Sequence, residues 1–195
     1  MTQVALVPVL LWVAALASAG ITIWRAPRPI VESFVVDMLL RYLFLFPLGI
    51  QGIWAFVGHV FFAKSAAAAI GWATSPFQYE VGVANLGLGL ASLYAAFRGF
   101  EARLAVGIAA ACFLIGAGVG HIRDIVTQGN LAPGNAGPIM VTDFLTPIII
   151  LVLLVLASGK LRPKSAATLA LEAELEVARK AMRDYRDALS ELGKR

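Results

Sequence analysis

The sequence predicts an all-α, polytopic transmembrane helix bundle of about five spans, followed by a C-terminal cytoplasmic amphipathic helix with coiled-coil character. Three observations predict it. The 195-residue chain is 59% hydrophobic and only 14% charged, where a soluble domain carries nearer a quarter. The charges are segregated: residues 1–159 hold seven basic and six acidic side chains, and the tail from Lys160 holds nine and six. Long uncharged stretches alternate with short segments rich in Arg, Pro and Gly, as expected of helices that cross a bilayer and turn. The chain therefore divides into a membrane bundle, residues 1–159, and a basic amphipathic helix, residues 160–195.

Span one, residues 4–24, has no charge. Ala17-Ser18-Ala19 resembles a signal-peptidase site, but Met1-Thr2-Gln3 lacks a basic n-region and the apolar run is long enough to cross. Arg25, Pro27, Arg28 and Pro29 make a short basic turn. Residues 30–41 are apolar but interrupted by Glu32, Asp37 and Arg41. They form either an interfacial helix or the first turns of a long second span, with Asp37 and Arg41 paired four residues apart. Span two proper covers 42–63. Pro47 lacks an amide donor for the Leu43 carbonyl, so a kink is expected there.

Residues 64–78 read as a loop with a helical turn or two, ended by Ser75-Pro76. Span three covers 79–97, where Gly87, Ala91 and Ala95 recur every fourth position and allow close helix contact. Residues 98–103 are a charged turn. Span four covers 104–122 and contains a GxxxG pattern, Gly116 to Gly120. A Gly-, Asn- and Pro-rich loop leads to span five, 139–158, in which Pro147 frees the Asp143 carbonyl. The lone Cys112 excludes an intrachain disulfide and reads as a small buried apolar residue. Trp24, Trp54 and Trp72 fall near span ends, where Trp anchors helices at the interface.

Basic residues orient the spans. Arg25, Arg28, Arg98, Arg103, Lys160, Arg162 and Lys164 fall on one side, Lys64 and Arg123 on the other. The richer side is cytoplasmic, which puts the N-terminus outside and the C-terminus inside the inner membrane. In the tail, Leu171, Leu175, Ala178, Met182, Tyr185, Leu189 and Leu192 recur at alternating spacings of four and three. That is an a/d seam suited to a copy of itself, another subunit of a membrane complex, or the membrane surface. The tail lacks aromatic interleaving among its basic residues, so the bilayer, not nucleic acid, is the expected partner.

This orientation collects four ionisable groups at one depth. His59 ends span two, Glu80 starts span three, His121 ends span four and Asp143 lies one turn into span five. Gln51, Asn85, Asn130 and Asn135 are supporting polar candidates. Two imidazoles and two carboxylates suit a divalent metal such as zinc, iron or manganese. The two histidines alone suit haem axial ligation, and the same groups suit a proton relay in a small transporter or channel module. The plain alternative is interfacial histidines with Glu80 and Asp143 stabilised at helix N-termini by the dipole. A third class is a structural subunit assembled through the tail. No P-loop, GxGxxG, HExxH, CxxC or nucleophile elbow is present, and the sequence assigns no particular reaction.

Gly71-Trp72, Ser75-Pro76-Phe77-Gln78, Glu80, Gly82, Ala84-Asn85-Leu86, His121-Ile122, Asn135, Gly137 and Asp143 together resemble a family of small bacterial integral membrane proteins known only as a domain of unknown function. The resemblance covers about residues 51–155. It implies a multi-span membrane protein and assigns no activity.

Overall fold

The computed structural model describes residues 3–159 and 166–192. Two units separate at residue 160. The first contains helices α1 (Gln3–Arg25), α2 (Glu32–Leu43), α3 (Gln51–Phe61), α4 (Ala63–Ile70), α5 (Phe77–Ala96), α6 (Phe100–Gln128) and α7 (Pro138–Ala157). The second contains α8 (Ala166–Leu192). Lys160, Arg162 and Lys164, used above to orient the chain, lie outside the described residues, as do the side chains of Leu171, Leu189 and Leu192.

The stretch before residue 42 is no separate interfacial helix. α2 and α3 are joined by a π-helical segment, Phe44–Ile50, into one continuous rod, Glu32–Phe61, of 30 residues. Pro47 explains the segment. Its ring clashes with the preceding turn and supplies no amide, and widening the helix locally accommodates both. Among the described residues four helices are long and apolar enough to cross a membrane: Leu6–Arg25, Glu32–Phe61, Phe100–Gln128 and Pro138–Ala157. α5 has 20 residues but carries Gln78, Glu80 and Asn85 and is not among the four.

The core of the first unit is apolar and tight. Leu40, Leu43, Phe44, Ile150 and Leu154 are nearly inaccessible and pack with Ala15, Ala95, Ala96 and Ala110. Cys112 is exposed, not buried. The glycine contacts also differ from the sequence expectation. Gly87, Gly116 and Gly120 face open space. α3 and α5 touch backbone to backbone at Gly52 and Gly89, and Gly118 lies under the Phe144 ring. A four-residue spacing identifies a stripe on a helix but not which face meets a partner.

A methyl at Gly52 would lie 2.8 Å from both the Asn85 carbonyl oxygen and the Gly89 Cα. Neither atom can move without the helix. Gly52→Ala is therefore expected to destabilise the bundle by about 1–3 kcal/mol. Gly87→Ala, in open space, is expected to be neutral or stabilising by up to about 1 kcal/mol. Thermal unfolding followed by Trp fluorescence separates the two, and equal shifts would contradict this packing.

Candidate functional site: a buried His–Asp pair

Two segments without spanning length shape one end of the bundle. α4 ends at Gly71, whose φ of 84° is the left-handed conformation that closes a helix. The Trp72 amide donates to Ala67 O and the Gly71 amide to Ala68 O, a paired cap that turns the chain and directs Trp72 onto the end of α6. α6 stops in the same way at Gly129, φ 65°. The loop that follows locks onto α4: the Gly134 amide donates to Ala69 O at 3.0 Å, and Asn130 Nδ2 donates to Ile70 O at 2.8 Å.

Beneath these loops sit His121 of α6 and Asp143 of α7, which are only 6% and 5% exposed. His121 Nε2 lies 3.6 Å from Asp143 Oδ2. On the other side of the ring, Nδ1 lies 2.7 Å from Asn135 Oδ1. Asn135 is fully buried, and its orientation is set by its own amide group. Nδ2 donates to Asn130 O at 2.8 Å and reaches His121 O at 3.4 Å. Oδ1 is therefore the acceptor, and His121 Nδ1 carries a hydrogen.

With Nδ1–H committed to Asn135, a neutral imidazole presents its Nε2 lone pair to the Asp143 carboxylate. Lone pair and anion repel, and the buried pair carries an uncompensated negative charge, which is costly out of water. One added proton removes both penalties, whether it rests on Nε2 or on the carboxyl.

The site has a partly exposed cover. The Trp72 ring stacks on His121, centroids 6.1 Å apart and planes 20° from parallel. Its Nε1–H donates to Asp124 Oδ2 at 3.0 Å, and the same oxygen accepts from Asn130 Nδ2 at 2.6 Å. One turn below Asp143, Thr146 Oγ1 accepts from Trp12 Nε1 at 3.1 Å, which ties α1 to the site's helix.

Of the four ionisable groups placed together by topology, the structure pairs His121 with Asp143. His59 instead has its Nδ1 against Gln78 Oε1, joining α3 to the start of α5, and Glu80 is exposed. Among the described residues no three or more His, Cys, Asp or Glu side chains are placed to hold one metal ion. His121 Nδ1 lies against Asn135 Oδ1, and Nε2 faces the Asp143 carboxylate. Of the supporting residues, Asn130 and Asn135 are in the network. Asn85 donates to its own helix at Val81 O, and Gln51 Oε1 is buried without a hydrogen-bond partner among the described residues.

Sequence reasoning missed Trp72 as a site residue, because a Trp near a span end reads as an interface anchor. It also missed a second polar centre at the other end of the bundle. Arg103, 4% exposed, donates from Nη1 to Asp37 Oδ1 at 2.6 Å. It also donates from Nε to Ala95 O and from Nη2 to Ala96 O. The Arg41–Asp37 pair is present too, but longer, at 3.9 Å.

The chain belongs to DUF6790, a family of unknown function whose model matches residues 5–163. The match takes in α1, which the resemblance over residues 51–155 had left out, and stops short of α8. No curated protein matches the chain, and no solved structure does.

Proposed function

We propose that this member of DUF6790 is a five-span protein of the inner membrane in which the His121–Asp143 pair takes up and releases a proton at the outer face, as part of a small proton-coupled transporter or channel. The observation that carries the reading is the committed Nδ1–H of His121, which leaves Nε2 and the Asp143 carboxylate facing each other in a buried pocket. Buried ionisable groups within a membrane bundle are retained mainly for ion or proton pathways.

The span in addition to the four apolar helices is α5, the third in chain order. The continuous α2–α3 rod meets α5 at both ends. His59 touches Gln78 at the start of α5, and Asp37 reaches Arg103, which caps the carbonyls that end α5. A helix antiparallel to a spanning rod along its whole length crosses with it, and 20 residues extend about 30 Å, the thickness of the hydrocarbon core. The polar residues of α5 lower its hydropathy without shortening it. Arg25, Arg28, Arg98 and Arg103 then share the cytoplasmic side, with the N-terminus outside and the tail inside.

The test is proton flux in vesicles holding the full chain and a trapped pH indicator, driven by a pH step. Asp143→Asn and His121→Gln are each expected to reduce flux to that of protein-free vesicles, and Glu80→Gln to leave it unchanged. Wild-type flux in Asp143→Asn, or no flux in the wild type above protein-free vesicles, would overturn the proposal. A stoichiometric metal removed by His121→Gln would also overturn it, in favour of a metal centre.

A further inference from the structure

We infer that α8 pairs in parallel, in register, with α8 of a second copy of this chain, making the protein a dimer. The inference does not rest on the proton-site reading. The seam residues with described side chains, Leu175, Ala178, Met182 and Tyr185, are all exposed, Met182 and Tyr185 at 67% and 68%. By spacing, Leu175, Met182 and Leu189 occupy a positions, and Leu171, Ala178, Tyr185 and Leu192 occupy d positions.

Charge decides what covers the seam. The tail as a whole is basic, but its Lys160, Arg162, Lys164, Lys194 and Arg195 all lie outside α8. Within Ala166–Leu192 there are six acidic residues (Glu172, Glu174, Glu176, Asp184, Asp187, Glu191) and four basic (Arg179, Lys180, Arg183, Arg186). A net-acidic helix is not drawn to an anionic lipid surface, and α8 lacks the Trp and Phe that sink interfacial helices. Another helix is the better cover.

Charge also sets orientation. In a parallel pair the g residue of one helix faces the e residue of the next heptad on the other. Here that is Glu174 opposite Arg179 of the second copy, formed twice by the two-fold symmetry. An antiparallel pair centred on Met182 would instead put Arg179 beside Arg186, like charges, also twice. Three heptads are marginal for free helices, but two tails leaving the same membrane face are held at high effective concentration and already point the same way.

The experiment uses the full chain in membranes with Cys112→Ser and a single new cysteine, Ala178→Cys, under mild oxidation. A disulfide-linked dimer is expected, because d positions face each other in a parallel pair. Glu174→Lys or Arg179→Glu, added singly, is expected to lower the dimer association constant by roughly tenfold, and the two together to restore it. Three results would overturn the inference: a chain that stays monomeric, one that links only when Ala178→Cys and Tyr185→Cys chains are mixed, or linking indifferent to Glu174→Lys.

Discussion

Arg103→Ala is expected to destabilise the bundle by about 3 kcal/mol, among the largest effects of any single change in this chain. The guanidinium makes three donations, to Asp37 Oδ1, Ala95 O and Ala96 O. The two carbonyls belong to the last turn of α5, whose acceptors have no intrahelical donor. Truncation removes all three donations: Ala95 O keeps the Arg98 amide, Ala96 O loses the guanidinium, and Asp37 keeps the longer contact to Arg41. Asp37 is 44% exposed, so water relieves part of the loss, and the estimate sits at the low end for a broken buried pair. Arg103→Lys keeps the charge but cannot reach three acceptors from one planar group, and is expected to recover less than half of the loss. Thermal unfolding of the detergent-solubilised protein measures both. Loss of less than about 1 kcal/mol in Arg103→Ala, the range of an exposed pair, would show that the contacts are not a staple.

Asn135→Leu is expected to cost about 2–4 kcal/mol and to release the His121 tautomer. Leucine has a similar volume but neither donor nor acceptor. It leaves the buried Nδ1–H of His121 without its partner, which costs about 1–3 kcal/mol, and removes the donor to the part-buried Asn130 carbonyl. Because Asn130 also links Asp124 and Ile70, the loop over the site is expected to loosen. Faster amide exchange at Gly134, whose hydrogen bond to Ala69 O joins that loop to α4, would report it. Unchanged exchange with unchanged stability would mean that Asn135 is dispensable to the site.

Much of the helical layout is legible in the residues, because uncharged runs ended by Arg, Pro or Gly have few other stable states in a membrane. Pro47 marks the irregularity in the second rod, although its form, a widened helix instead of a kink, depends on packing around Phe44. α5 is harder to read. Glu80 and Asn85 interrupt its apolar run, and the proposal that it spans draws on its contacts with both ends of the α2–α3 rod. The glycine faces were not legible. Gly118, between the two glycines of the GxxxG pattern, makes the contact because Phe144 of the next helix stands opposite it.

At the site, His121 and Asp143 could be brought together by topology alone, since one ends a helix and the other begins the next. His59 could not be separated from them in the same way. Its partner Gln78 lies in a segment that reads as loop, and only its inclusion in the first turn of α5 explains the pairing. The Asp37–Arg103 contact was hidden by a nearer candidate. Arg41 is four residues from Asp37 and satisfies the local rule, while Arg103 arrives from another helix.

In the proposed site one proton is shared between His121 Nε2 and Asp143, while Nδ1–H is held by Asn135. Nitrogen-15 NMR of the imidazoles in the full chain reads both ring nitrogens. The expected result is a His121 ring with its hydrogen on Nδ1, whose Nε2 shift moves in Asp143→Asn while the His59 signals do not. A neutral His121 ring with its hydrogen on Nε2, or an Nε2 shift unaffected by Asp143→Asn, would overturn the proposal.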